Sequence, residues 1–122
     1  MTHRHLPDGV TLIAVAGVCD SRNAGHLARY LHGVRRSPEE QLVLDLTEVT
    51  RIDGSGLRVL IDAHLDALSH HAAVRLAAVG SGIAEALDGV PAEARMPLHP
   101  TVEDALTAAL SADPPKPPAP QP

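Results

Sequence analysis

The residues with the most chemical potential stand together in Arg51-Ile52-Asp53-Gly54-Ser55-Gly56-Leu57-Arg58-Val59-Leu60-Ile61. A carboxylate and a hydroxyl sit among glycines, directly before leucines at helical spacing. Four chemistries suit such a loop. Asp53 or Ser55 can cap a helix, with glycine supplying free backbone angles. Ser55 can be a nucleophile, but a nucleophile elbow needs small residues two places to either side. Here those places hold Asp53 and Leu57. The loop can cradle a phosphate, but the third glycine of a dinucleotide fingerprint would fall at Val59, and no Walker lysine follows. Lastly, Ser55 can itself be modified. By residue type alone the cap is the plainest reading, while the elbow and the cradle fail on spacing.

Other reactive side chains offer less. His64 lies on the apolar face of the helix beginning at Ser55, and reads as a half-buried histidine at a helix edge rather than a ligand. His3 with His5, and His70 with His71, lack a third ligand, so no metal or other cofactor is expected. Arg58, Asp62 and Asp66 follow at i, i+4 and i+8, the spacing of a solvated face, with Arg58 near enough to Ser55 to touch a partner. Cys19 reads as a buried structural thiol, and as the only cysteine it excludes an intrachain disulfide.

The elements that position the loop follow from periodicity. Val10–Ala16 is β-branched and apolar, and Gly17 is expected to end it. Asp20 or Ser21 offers an N-cap for a helix carrying Ala24, Leu27, Ala28, Leu31 and Val34, which Ser37-Pro38 breaks. Leu42–Leu46 reads as a strand covered on both faces. The loop and its helix come next, with Leu57, Leu60, Ile61, Leu65 and Leu68 on one face. Val74–Val79 reads as a third strand, a short helix carries Ile83 and Leu87, and residues 95–98 form a weak strand whose Pro97 assigns it to a sheet edge. Thr101 and Asp104 resemble a capping box before Ala105, Leu106, Ala109 and Leu110. The alternation predicts an α/β layer fold with a four- to five-stranded, mostly parallel sheet and about four helices.

Composition limits the functions. The chain has 122 residues, no Trp, no Phe and one Tyr, so its core is Leu, Val, Ile and Ala, and it offers no aromatic platform for bases. A net charge of -5 argues against a nucleic-acid partner. No apolar run approaches the roughly 20 residues of a membrane span, and the N-terminus lacks a signal-peptide core. A cytoplasmic protein is expected. Residues 1–112 form the domain. Residues 113–122, within DPPKPPAPQP, read as a polyproline-like or disordered tail of the kind that can serve as an SH3-type ligand.

Taken in order, Gly17 with Asp20 after the first strand, Asp45-Leu46-Thr47-Glu48-Val49, Ile52-Asp53-Gly54-Ser55-Gly56-Leu57 and the closing strand and helix resemble the STAS family. That is the domain of anti-sigma factor antagonists and of the cytoplasmic ends of sulphate transporters. The resemblance covers residues 8–111. In bacterial antagonists the loop reads Asp-Ser-Ser-Gly-Leu, so the family's second Ser falls on Ser55 and its Asp on Asp53. Gly54 replaces the first Ser, and Val18 replaces the Glu of the family's Gly-Glu-Leu-Asp.

The resemblance implies a non-enzymatic antagonist, a monomer or weak dimer, that binds an anti-sigma factor serine kinase. It is switched off by phosphorylation of Ser55 and reset by a PP2C-type phosphatase. Partner contacts are then expected from Asp20, Asp53, Gly54, Ser55, Gly56, Leu57 and Arg58. Asp20 and Asp53 would make the phosphorylated loop a strongly negative patch. The alternative is a STAS subunit of a transport ATPase or signalling complex with no phosphoswitch, which Gly54 favours.

Overall fold

The structure, a computed structural model, describes residues 1–111. The expected Pro-rich tail at 113–122 lies outside them. Strand β1 is Thr2–Leu6, β2 Val10–Cys19, α1 Ala24–Val34, β3 Gln41–Ile52, α2 Gly54–Leu68, β4 Val74–Ala77, α3 Ser81–Asp88, β5 Leu98–His99 and α4 Val102–Ser111. The five strands lie in the order β1-β2-β3-β4-β5, with β1 antiparallel to β2 and every other pair parallel. This is the mixed α/β layer fold that the alternation predicts.

Several boundaries differ from expectation, each for a physical reason. Strand β1 has no apolar run to announce it. It forms because a tight turn at Pro7–Gly9, with Asp8 at φ 68° and Gly9 at φ 75°, folds it back on β2. Gly17 does not end β2. At φ 83° it sits beside a register shift between Gly17 and Val18, and the strand bends and continues to Cys19. Strand β3 likewise runs past Leu46 to Ile52, through a stretch that is largely exposed and so carries no apolar signal. Strand β4 stops at Ala77 rather than Val79, because Ala78 turns to φ 57°. The closing strand is Leu98–His99 rather than 95–98. Arg95 is instead held in the preceding loop, where it donates to the carbonyls of Val90 (2.9 Å) and Asp88 (3.0 Å).

The sheet separates two apolar layers. Ile13, Leu42, Leu44, Val74 and Leu76 pack with α1, α2 and α3, whereas Val10, Val43 and Ala77 pack with Ala105 and Ala109 of α4. A fully buried leucine or isoleucine contributes about 1.5–3 kcal/mol. The α2 layer is therefore the firmer platform, and it holds the candidate loop. His64 lies within that layer, fully buried rather than half-buried at an edge. Its Nδ1 accepts the Val74 N–H at 3.1 Å, and its other nitrogen turns to the Arg95 backbone.

Candidate functional site

Helix α2 starts where β3 ends, beside the end of β2. The Asp53 N–H donates to the Cys19 carbonyl at 3.0 Å, tying the loop to β2 before the helix begins. Asp53 then caps α2, its Oδ1 accepting the N–H groups of Ser55 (2.9 Å) and Gly56 (3.1 Å). One carboxylate oxygen thereby satisfies two of the four N–H groups that a helix start leaves unpaired. The cap is Asp53 and not Ser55. The Ser55 side chain, half-buried at the second helical position, makes no hydrogen bond among the described residues.

The two glycines around Ser55 do different work. A Cβ on Gly56 would stand 2.8 Å from the Cys19 carbonyl oxygen and 2.9 Å from both Cys19 Cβ and Ile52 Cγ1. Only glycine lets α2 lie this close to the ends of β2 and β3. A Cβ on Gly54 would meet nothing within 4 Å. Leu57 turns inward and packs against the core, while Arg58 is 80% exposed and reaches Asp62 at 3.6 Å.

On the facing side, Asp20 does not cap α1. The helix N-cap is Asn23, whose Oδ1 accepts the Asp20 N–H (2.9 Å) and whose Nδ2 donates to the Val18 carbonyl (2.7 Å). The Asp20 carboxylate is taken up by Arg22, which donates to it from Nη2 (2.9 Å), Nε (3.2 Å) and the backbone N–H (2.9 Å). Those bonds, with Arg51 nearby, hold the Asp20 carboxyl below its usual range. Asp20 and Asp53 both act on Cys19, which lies beneath them. Burial first, then those two carboxylates, push its thiol above the ordinary value, so it stays protonated and unreactive.

The structure therefore gathers Asp20, Asp53, Gly54, Ser55 and Gly56 at one end of the sheet, with Leu57 beneath and Arg58 at the rim. Sequence reasoning overlooked Arg22 and Arg51, which temper the negative charge expected there. The Arg22 signal lay in the sequence, two residues after Asp20, whereas Arg51 depends on how β3 ends. Beside the loop, Val49, Thr50, Arg51, Ile52, Gly80, Gly82 and Ile83 line a shallow groove of about 230 Å3.

A serine nucleophile would need a base at this hydroxyl, and no described histidine hydrogen-bonds to it. Among the described residues no group of three or more His, Cys, Asp or Glu could hold a metal ion. No described helix is long and apolar enough to cross a membrane.

The five-stranded α/β layer with a capped loop at one end of its sheet defines the class of domain. The STAS domain model matches residues 4–105, and the chain belongs to the STAS domain family. No curated protein matches the sequence. Among solved structures, a candidate anti-sigma factor antagonist from Thermotoga maritima superposes with a TM-score of 0.75 at 15% identity, over 88% of this chain and 92% of that one. An anti-sigma factor antagonist from Mycobacterium paratuberculosis gives a TM-score of 0.70 at 26% identity, again over 88% and 92%. The STAS domain of a SulP transporter from Vibrio cholerae gives 0.62 at 22% identity, over 88% and 85%. The first and third of these share the fold.

Proposed function

We propose that this chain is a cytoplasmic anti-sigma factor antagonist, a binding protein that regulates transcription by exchanging partners. Ser55 is its phosphoacceptor, and its partners are an anti-sigma factor serine kinase and a PP2C-type phosphatase. One observation carries the reading. Asp53 performs the capping, so the Ser55 hydroxyl stands at the start of α2 with no structural task. In the proposed step Ser55 Oγ bonds to the γ-phosphorus of ATP, the bond to the bridging oxygen breaks, ADP leaves, and the hydroxyl proton passes to the kinase or to water. Ser55 is a substrate, and this chain supplies no catalysis.

A phosphate adds about -1.5 to -2 charges beside the helix N-terminus, whose backbone dipoles favour an anion. The domain accordingly tolerates the modification. A partner docked on Asp20, Asp53, Gly54, Ser55, Gly56, Leu57 and Arg58 does not, because it meets a bulky dianion where a flat glycine-flanked surface stood. Incubation with the cognate kinase and ATP gives one phosphate, at Ser55. A Ser55→Asp variant that binds the anti-sigma factor as tightly as the parent would overturn the switch.

The second reading is a STAS subunit of a transport ATPase or signalling complex. Gly54 and the likeness to a SulP transporter domain favour it. It predicts co-purified transport or signalling subunits, with Ser55→Ala and Ser55→Asp both harmless.

A further inference from the structure

Ser55 and Arg58 stand three residues apart in α2, the spacing at which two side chains are neighbours on a helix surface, with Cβ atoms about 5–6 Å apart. Arg58 is weakly engaged. Its recorded ion pair, with Asp62 one turn further on, spans 3.6 Å, and the two side chains are 80% and 64% exposed. Exposed pairs of this kind are screened and contribute little. The Ser55 hydroxyl beside it has no partner among the described residues.

We infer that Arg58 is the phosphate-holding residue of the switch: when Ser55 carries a phosphate, the Arg58 guanidinium leaves Asp62 and pairs with the phosphoryl oxygens. This inference rests on the phosphoacceptor reading above. Its physical basis is a competition between two anions for one cation. The carboxylate offers a single charge at a long distance. The phosphate offers nearly two charges and three acceptor oxygens, which match the planar fork of arginine.

The other charges facing Ser55 come from the ends of two strands, and the Arg51 side chain among them makes no hydrogen bond or ion pair among the described residues. From the β2 end come the Cys19 thiol, Asp20 and Arg22, with Asp20 and Arg22 bonded to each other at 2.9 Å. From the end of β3 come Asp53, whose Oδ1 is on the helix backbone, and Arg51, which acts on Asp20. Arg58 is the cation on Ser55's own helix face, and its present hold is a long, exposed ion pair. Its transfer also leaves Asp62 unpaired. Asp62 lines the cleft of about 210 Å3 between α1 and α2, so the modification changes the charge of a surface outside the loop.

The test uses the full chain carrying phosphoserine installed at position 55 during translation, so no kinase is required, and reads the phosphate by 31P NMR titration. Failure of the cognate kinase to modify Ser55 would sink the function proposed above and leave this measurement intact. The parent phosphate is expected to ionise with a second pKa below the value near 6 of free phosphoserine. Arg58→Gln raises it by about half a unit, roughly a threefold change in the dissociation constant, and Arg58→Lys restores part of the shift because a point charge cannot grip two oxygens. Asp62→Asn lowers it in the parent and leaves it unmoved in the Arg58→Gln background, the non-additivity that direct competition requires. An Arg58→Gln protein that titrates like the parent, or additive Arg58 and Asp62 effects, would overturn the inference.

Discussion

Strand β3 has a carboxylate at each end, Glu40 just before it and Asp53 just after it, and the two sit in opposite environments. Glu40 is 2% exposed. It accepts the Thr11 hydroxyl and the Arg36 Nε (2.9 Å), while His5 Nδ1 lies 2.9 Å from that same hydroxyl. Arg36 also donates to the carbonyls of Leu6 (2.7 Å) and Val10 (3.3 Å), so one ion pair locks the β1–β2 turn to the entry of β3. Asp53 is exposed, uses one oxygen on the helix backbone, and leaves the neighbouring hydroxyl unpartnered. One end of the sheet buries its polar groups against one another, and the other leaves the Ser55 hydroxyl without a partner among the described residues. Under the proposed function, that division is what would let a charge be added at Ser55 without disturbing the fold.

The largest effect should come from breaking the closed end. Glu40→Ala leaves Thr11 and Arg36 without their acceptor in a buried position, and is expected to lower stability by about 2–3 kcal/mol, as measured by urea unfolding. The exposure of Arg36 keeps the loss toward the lower part of the range for buried pairs. A loss below about 0.5 kcal/mol, the level of an ordinary surface change, would show that water replaces the cluster and that the two ends do not differ.

Gly56→Ala comes next, at about 2 kcal/mol, because the added carbon meets the backbone and Cβ of Cys19 rather than the yielding tip of a side chain. Amide shifts at Cys19 and Asp53 should move with it. Unchanged stability would mean that the helix start floats over β2 rather than resting on it.

The cap provides a sharper contrast within the open end. Asp53→Ala is expected to cost about 1 kcal/mol and Asp53→Asn a few tenths, while Ser55→Ala stays within about 0.5 kcal/mol of the parent. If Ser55→Ala cost as much as Asp53→Ala in thermal unfolding, the hydroxyl would be the cap and the case for a free phosphoacceptor would weaken.

His64 tests how firmly the helix is anchored below the loop. Burial, aided by Arg75, depresses its pKa against the opposing pull of the Arg95 backbone. The folded protein therefore resists a proton that the unfolded chain accepts at about pH 6.5. Stability is full above that pH and falls as the pH drops toward the folded value. His64→Gln should flatten the profile between pH 7.5 and 5, measured as the urea midpoint. It should not abolish the dependence, because His99 is shifted in the same direction, first by burial and then by Arg75. An identical slope in the variant would remove His64 from the account.

How much of this was legible depends on whether a feature is local. The alternation of elements, the apolar layers and a cap at Asp53 or Ser55 all lie in short-range spacing, and the sequence carries them. The choice between Asp53 and Ser55 as cap did not, because both residue types can do it and only the backbone angle at the end of β3 decides. Strand β1 left no signal, since Thr2, His3, Arg4 and His5 are all exposed and the strand exists through its turn and its pairing. Glu40 follows Glu39 before a strand and looks like loop charge. Its burial arises from Thr11 and Arg36, which the fold alone brings to it. Asp66 lies on the solvated face as expected, 58% exposed, but is also bonded at 2.9 Å by Arg35, whose guanidinium reaches the Ala63 carbonyl at 3.0 Å and joins α1 to α2, a tie that helical spacing alone does not show.

The smallest stability effect belongs to Gly54, and it bears most directly on the function. Gly54 and Gly56 look alike in the sequence, yet one faces open space and the other the Cys19 backbone. Gly54→Ser would give the loop the Ser-Ser pair of the antagonists that it resembles. Because nothing lies within 4 Å of the new carbon, the fold should accept it with a change below about 0.5 kcal/mol. The glycine therefore answers no steric demand, and any difference the substitution makes arises in a complex with a partner. With the cognate kinase, a faster reaction that still places one phosphate on Ser55 would show that the partner reads the residue before the acceptor. An unchanged rate would show that the free hydroxyl beside the Asp53 cap is enough. A phosphate arriving on residue 54 instead would show that position along the helix start, rather than the unpartnered hydroxyl of Ser55, selects the acceptor.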